Sequence, residues 1–327
     1  MYIMRMALIV GINHYDHGES LYGCVDDAHA VREVLERNAD GSINFDCEEL
    51  TSDIEKLRIT RASLKDKIHD LFKSPTDISL FYFAGHGHIE KTGGYILTTE
   101  SRRGDEGMPL NELLIIANRS PARNKIIILD SCHSGIAGTP PESGDLASLS
   151  EGLTILTASA ADQYATEENR RGVFTTLLVD ALNGSAANLT GDITPGSIYA
   201  HIDQSLGAWE QRPIFKTNVR QFVSLRKTTP PIPIHDLRRI IEFFPTRDYQ
   251  FPLDPSFEPE PQGRTPEMPR PDPENIRKFE LLQKYNRLNL VSPVGAQHMW
   301  HAAMQSKSCK LTTLGEHYRR LAEKRRI

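Results

Sequence analysis

Four apolar runs mark the frame of the chain. They are "RMALIVGI" (Arg5 to Ile12), "ISLFYFA" (Ile78 to Ala84), "KIIILD" (Lys125 to Asp130) and "LTILTAS". Nearly continuous apolar runs of this length are what strands buried on both faces look like. Between them the period lengthens. In "DDAHAVREVLERN" the residues Ala28, Val31, Val34 and Leu35 share one helical face, with Asp26 placed as the N-cap. Thr60 opens a second helix through Leu64, Ile68, Leu71 and Phe72, stopped by Pro75. Further helices are expected from Pro109 to Asn118, over "GVFTTLLVDALNG" and from Pro195 to about Leu206, with a hairpin arm at "YILTTE" and a last strand near Phe222. Strands alternating with helices predict an α/β fold, a mostly parallel sheet covered by helices on both faces.

After Thr228 the texture changes. Twelve of the twenty prolines fall between Pro230 and Pro273, interrupted only by "IHDLRRIIEFF", which reads as an extended arm. From Asn275 helical spacing returns in "NIRKFELLQKYNRL", "SPVGAQHMWHAAM" and "TTLGEHYRRLAEKRR", where Thr313 and Glu316 have capping-box spacing. The expected layout is therefore a domain over 1–227, a proline-rich arm over 228–274 and a small all-α domain over 275–327, with Met299, Trp300 and Tyr318 in its core.

Composition adds limits. The chain has 327 residues, 39% hydrophobic and 25% charged, enough for one large core or two modest ones. "MYIMRMALIVGI" is interrupted by Arg5 and is too short to span a bilayer, so a cytoplasmic protein with no membrane partner is expected. Cys24, Cys47, Cys132 and Cys309 show no Cys-x-x-Cys spacing, which leaves thiols available for chemistry. Net charge is −5, yet residues 275–327 hold eleven Lys/Arg against three Glu. Such a surplus fits a solvated face, docking of a partner, or binding of nucleic acid or a nucleotide.

Reactive groups sit at two strand ends, where open α/β sheets bind ligands. "FYFAGHGH" delivers His86 and "IIILDSCHSG" delivers Cys132. An imidazole that takes the proton of a thiol makes a nucleophile, and the glycines around His86 let a substrate backbone approach. His86 precedes Cys132 by 46 residues, close to the interval of roughly 50 found in caspases. His133, the neighbour of Cys132, is expected to point away from it. Against this stand duller readings: a buried cysteine is usually a small hydrophobe, Asp26 or Asp27 can simply cap a helix, Tyr82 and Phe83 are core residues, and His86, His88, Cys132 and His133 together could chelate zinc.

With "LYGCVDDA", "FYFAGHG" and "LDSCHSG" in this order, residues 5–225 resemble the caspase fold, and most of all the metacaspase and bacterial caspase-like branch. The resemblance implies a cysteine endopeptidase with His86 as general base, Cys132 as nucleophile, and the backbone N–H groups of Gly87 and Cys132 as oxyanion hole. It also implies an acidic pocket for the side chain before the cleaved bond, built from Asp27 and Asp130 and rimmed by Cys24. Ala84 stands where metacaspases often have Ser. Two carboxylates favour cleavage after Arg, less after Lys, and not after Asp. Calcium is common in that branch, but no carboxylate loop is readable here, and the chemical step needs no cofactor.

No Lys or Arg occurs from Ser134 to Asn169, so an Arg-specific enzyme cannot cut itself there; self-processing is expected at Arg170, Arg171 or in the arm, if anywhere. The first strand begins almost at Met1, so restraint by an N-terminal prodomain is not expected, and control is assigned to a ligand or partner of the C-terminal domain. Expected partners are proteins with exposed Arg or Lys, and the expected setting is gated proteolysis in bacterial defence or regulated cell death. The alternative is a caspase-fold scaffold that binds nucleic acid or nucleotide.

Overall fold

The computed structural model describes residues 4–53, 58–91, 93–131, 149–158, 167–168, 171–207, 212–260 and 263–327. Cys132, His133 and Arg170 lie outside the described residues, as do 134–148, 159–166 and 169 of the stretch from Ser134 to Asn169. Two compact units divide at Thr229/Pro230.

The first unit alternates strand and helix as the pattern predicts. Its elements run β1 (Arg5–Ile12), α1 (Cys24–Glu36), β2 (Asp46–Ser52), α2 (Arg61–Phe72), β3 (Ile78–Ala84), β4 (Gly87–Glu90), β5 (Gly93–Ile96), β6 (Met108–Pro109), α3 (Leu110–Arg119), β7 (Asn124–Asp130) and β8 (Leu153–Thr157). The short pair β9 (Glu167–Glu168) and β10 (Arg171–Gly172) sets Gly172 opposite Glu167 and leads into α4 (Val173–Asp180). Then follow β11 (Asp192–Ile193), α5 (Pro195–Ser205), β12 (Ile214–Asn218) and β13 (Arg226–Lys227). The main sheet has the order β12-β8-β7-β3-β1-β2, parallel except for β12, and β4, β5 and β6 form a small antiparallel sheet at its rim.

Alternation along the central strands sorts side chains to two faces. Ala7 and Ile9 of β1, Leu80, Tyr82 and Ala84 of β3, and Ile126 and Ile128 of β7 pack with α1, α4 and α5. Leu8, Val10, Ile12, Phe81, Phe83, Ile127 and Leu129 pack with α2 and α3. Each of these large side chains contributes about 1.5–3 kcal/mol by leaving water. Because the parity is fixed, Asp130 at the end of β7 falls on the α1/α4 side, with Tyr82.

Boundaries differ from expectation in places. Helix α1 starts at Cys24 after Gly23, without a side-chain cap; Asp26 is exposed in its first turn, and Asn13 Oδ1 instead accepts the Val25 N–H at 3.3 Å. The last strand of the sheet is Ile214–Asn218, not the region of Phe222, because a half-buried edge strand carries no continuous apolar run.

The second unit holds α6 (Ile234–Arg238), α7 (Ile240–Phe243), β14 (Gln250–Pro252), α8 (Pro273–Arg287), β15 (Val291–Val294), α9 (Met299–Met304), β16 (Ser308–Leu311) and α10 (Thr313–Glu323). It is not all-α: a three-stranded antiparallel sheet, β14-β16-β15, joins the helices, and β15 takes the start of "SPVGAQHMWHAAM", leaving only Met299–Met304 of that expected helix. Residues 230–274, expected as an extended arm, belong to this unit. Their aromatics help build its core: Phe243 and Phe244 both pack on Phe251, Phe251 on Phe257, and Phe257 on Phe279 of α8, with ring centroids 5.5–6.3 Å apart. The prolines sit where they are tolerated, Pro252 on an edge strand and Pro273 in the first turn of α8, capped by Asp272. Met299 and Tyr318 are buried as expected, but Trp300 is 38% exposed. Thr312, one residue before the expected cap, closes the start of α10 by accepting the Gly315 N–H at 3.0 Å.

Candidate active site

β3 and β7 are adjacent and parallel, with Ala84 opposite Asp130. His86 stands two positions beyond the paired Ala84, and in the sequence Cys132 follows Asp130 by the same two positions. The expected nucleophile Cys132 is outside the described residues; its neighbours Asp130 and Ser131 are buried.

His86 follows β3 and is held from two sides. Its ring Nε2 lies 2.9 Å from the carbonyl oxygen of Glu19. A carbonyl only accepts, so Nε2 donates, and a neutral imidazole then has its lone pair on Nδ1. The tautomer is the one that lets Nδ1 act as a base. From the other side, Tyr15 Oη accepts the His86 main-chain N–H at 2.8 Å, and the two ring centroids are 4.7 Å apart. Tyr15 is 4% exposed. Gly85 makes room for it: a Cβ there would lie 2.6 Å from Tyr15 Oη and 2.7 Å from Phe83 Cζ.

Tyr15 and Glu19 belong to the loop after β1, and that loop is pinned. The Asp16 N–H donates to the Thr99 carbonyl at 2.8 Å, Leu21 N–H to the Asn13 carbonyl at 2.8 Å, and the Arg58 guanidinium pairs with Asp16 at 2.7 Å. Sequence reasoning missed both loop residues. "NHYDHGES" has no periodicity, and a carbonyl acts whatever the side chain is.

Gly87, the expected oxyanion donor, begins β4 directly after His86 and is half-buried, paired with Ile96. His88 turns elsewhere: its Nε2 is 3.4 Å from Glu90 and its ring packs against Gly104. Among the described residues no three His, Cys, Asp or Glu side chains gather as metal ligands; two members of the zinc reading, Cys132 and His133, lie outside the described residues.

Asp27 and Asp130, 103 positions apart in the chain, converge. Asp27 projects from the first turn of α1 and is 3% exposed; its Oδ2 accepts the Gly172 N–H at 3.1 Å. Asp130 is 8% exposed; its Oδ2 accepts the Thr175 hydroxyl at 2.7 Å, and its carbonyl accepts the Gly85 N–H at 3.2 Å. A Cβ on Gly172 would lie 2.5 Å from Asp130 Oδ2 and 3.2 Å from Asp27 Oδ2, so both carboxylates border one residue. Asp27 and Thr175 also line a cleft of about 210 Å³ with Asp180 and Asn183. The other two expected pocket residues, Cys24 and Ala84, are buried in the core cluster on this face, 6% and 1% exposed.

The family model that matches is that of the caspase domain, over residues 4–226. The chain belongs to the caspase-domain family. Its caspase domain is similar to metacaspase-1 of Mycosarcoma maydis, 28% identical over 156 residues, which are 41% of this chain and 36% of that protein. It is also similar to metacaspase-1 of Cryptococcus neoformans var. neoformans, 30% identical over 156 residues, 41% of this chain and 32% of that one. The chain thus spans about a third of the length of these curated relatives. Among solved structures, caspase-1 from Spodoptera frugiperda superposes with a TM-score of 0.50 at 15% identity, covering 70% of this chain and 92% of that one. Protein GSU0716 from Geobacter sulfurreducens gives 0.51 at 18%, covering 69% and 98%. At such identities these two structures speak for the fold. No helix among the described residues is long and apolar enough to cross a membrane.

Proposed function

We propose that the caspase domain is a cysteine endopeptidase that cleaves proteins after Arg, and less well after Lys. The observation that carries this reading is the meeting of Asp27 and Asp130 at Gly172, at the same sheet end as a histidine whose tautomer is fixed by a carbonyl. Nδ1 of His86 takes the proton of the Cys132 thiol, and the thiolate attacks the carbonyl carbon of the scissile bond. Oxyanion charge is met by the backbone N–H groups of Gly87 and Cys132. The imidazolium returns its proton to the departing amine, and water, deprotonated by His86, then releases the acyl group from sulfur. Two carboxylates that border one position attract a guanidinium fork best and repel an aspartate.

Control belongs, in this proposal, to residues 230–327, whose C-terminal part carries the surplus of positive charge; an anionic ligand or a partner there would gate a protease of bacterial defence or regulated cell death. Peptides that differ only in Arg, Lys or Asp before a fluorogenic group test the core of the reading. Cleavage in the order Arg, Lys, with none after Asp and none by Cys132→Ala, is expected. An active Cys132→Ala chain would end the proposal. The charge surplus favours one rival, a scaffold that grips nucleic acid, which predicts full function in Cys132→Ala and a steep salt dependence of binding.

A further inference from the structure

A chain of buried polar groups beneath the two carboxylates is not used by the hydrolysis itself. Tyr82 Oη lies 2.6 Å from Thr175 Oγ1, which lies 2.7 Å from Asp130 Oδ2. Tyr82 is fully buried and Thr175 is 1% exposed. The order of protons follows from chemistry. An ionised carboxylate only accepts, so Thr175 donates to Asp130. Having one proton, Thr175 must accept from Tyr82. Burial, with the charges of Asp130 and Asp27 nearby, pushes the Tyr82 phenol well above its usual range, so it keeps the proton it donates.

The second carboxylate is anchored at the same helix end. Gly172 immediately precedes α4 and gives its N–H to Asp27, while Thr175 is the third residue of that helix. Helix N-termini favour anions. One oxygen of each carboxylate is therefore held by the protein, which restricts rotation of both groups, and only a residue without Cβ fits between them, since a Cβ on Gly172 would lie 2.5 Å from Asp130 Oδ2 and 3.2 Å from Asp27 Oδ2.

We infer that Thr175, oriented by Tyr82, is the positioning residue that aims Asp130 at an incoming guanidinium, and that Gly172, having no Cβ, lets both carboxylates close on one backbone position without displacement; together they set the preference for Arg over Lys. The inference rests on the reading of Asp27 and Asp130 as the pocket for a basic side chain. Its physical basis is the difference between the two cations. A guanidinium is a rigid planar fork that gains most from carboxylates of fixed orientation, whereas an ammonium is a point charge with rotatable donors.

The test compares the Arg and Lys peptides in the full chain carrying Thr175→Val, Thr175→Ser, Tyr82→Phe or Gly172→Ala. Loss of one hydrogen bond to a charged group corresponds to about tenfold or more. Thr175→Val is expected to raise KM for the Arg peptide about tenfold, with kcat within about threefold and a smaller change for the Lys peptide, so the Arg/Lys ratio of kcat/KM falls. Thr175→Ser should restore the ratio, Tyr82→Phe should lower it in the same direction, and Gly172→Ala should weaken both peptides. A parallel arm measures binding of the two peptides to the Cys132→Ala chain by calorimetry, with and without Thr175→Val. An Arg/Lys ratio within twofold of the parent in folded Thr175→Val overturns the inference while leaving the pocket reading standing. Should Thr175→Val not fold, an unchanged ratio in Tyr82→Phe overturns it equally. A parent chain that neither cleaves nor binds the Arg peptide better than an Asp peptide instead overturns the pocket reading, and the inference with it.

Discussion

Replacing Tyr15 by Phe removes one oxygen and leaves the ring, which separates its hydrogen bond from its packing. The phenol oxygen accepts the His86 main-chain N–H at 2.8 Å, while the ring sits 4.7 Å from the imidazole. An N–H that loses its partner costs about 1–3 kcal/mol, and since His86 is only half-buried, water can reach it and about 1 kcal/mol applies. For a unit of this size that is a fall in Tm of about 2–4 °C. The rate should change more than the stability does. The loop ends Tyr15 and Glu19 hold backbone and ring of His86 separately, so release of one lets the imidazole pivot on the other. A displacement of about 1 Å in a catalytic group costs up to about 100-fold. Tyr15→Phe is expected to lower kcat on the Arg peptide about 10- to 100-fold with KM within about twofold, read by steady-state kinetics beside a thermal melt. A normal kcat with a lowered Tm would make Tyr15 a packing residue and refute the reasoning.

Gly85→Ala should reach the same end from the other side, because its Cβ would stand 2.6 Å from Tyr15 Oη; kcat should fall at least as far as in Tyr15→Phe, and wild-type kinetics would contradict the packing argument. Asp130→Asn and Asp27→Asn each exchange a charge-assisted contact for a neutral one, so kcat/KM for the Arg peptide should drop about 10- to 100-fold, and retention of Arg cleavage in the double variant would remove both from the pocket. Burial, with the charges of Glu36 and Asp46 beside it, pushes the Cys47 thiol up to about 12, and burial pushes Cys309 to about 12. At pH 7.5 their thiolate fraction is on the order of 10⁻⁴ or below, so iodoacetamide followed by peptide mass mapping should modify Cys132 long before either; equal rates would contradict the contrast. Deleting residues 230–327 should change basal activity or its response to an activator if that unit gates the protease, and an unaltered enzyme would remove it from control.

The central strands were legible because burial on both faces leaves unbroken apolar runs, and β1, β3, β7 and β8 lie where those runs do. What the sequence hid has three physical sources. The groups that hold His86 come from an aperiodic loop and, in Glu19, from a main-chain oxygen. Tyr82 reads as core because it is core, and Thr175 is one unremarked position of an expected helix; only the fold joins a strand residue to a helix residue 93 positions later and reveals that their hydroxyls are linked. The proline-rich stretch reads as an arm by composition, yet Phe243, Phe244, Phe251 and Phe257 inside it were the signal of a core, and edge strands and first turns absorb the prolines. Asp27 was singled out from Asp26 in the sequence by the family resemblance alone; the fold supplies the physical difference, one buried at the carboxylate pair and the other in solvent.

The most direct measurement treats the full chain with a peptide ending in Arg and carrying an acyloxymethyl ketone, then locates the adduct by mass spectrometry. One adduct per chain on Cys132, blocked by excess Arg peptide substrate and absent from His86→Ala, is the result expected of an imidazole-activated thiolate beside an acidic pocket. No adduct, or labelling spread over Cys24, Cys47 and Cys309 without dependence on His86, would contradict it.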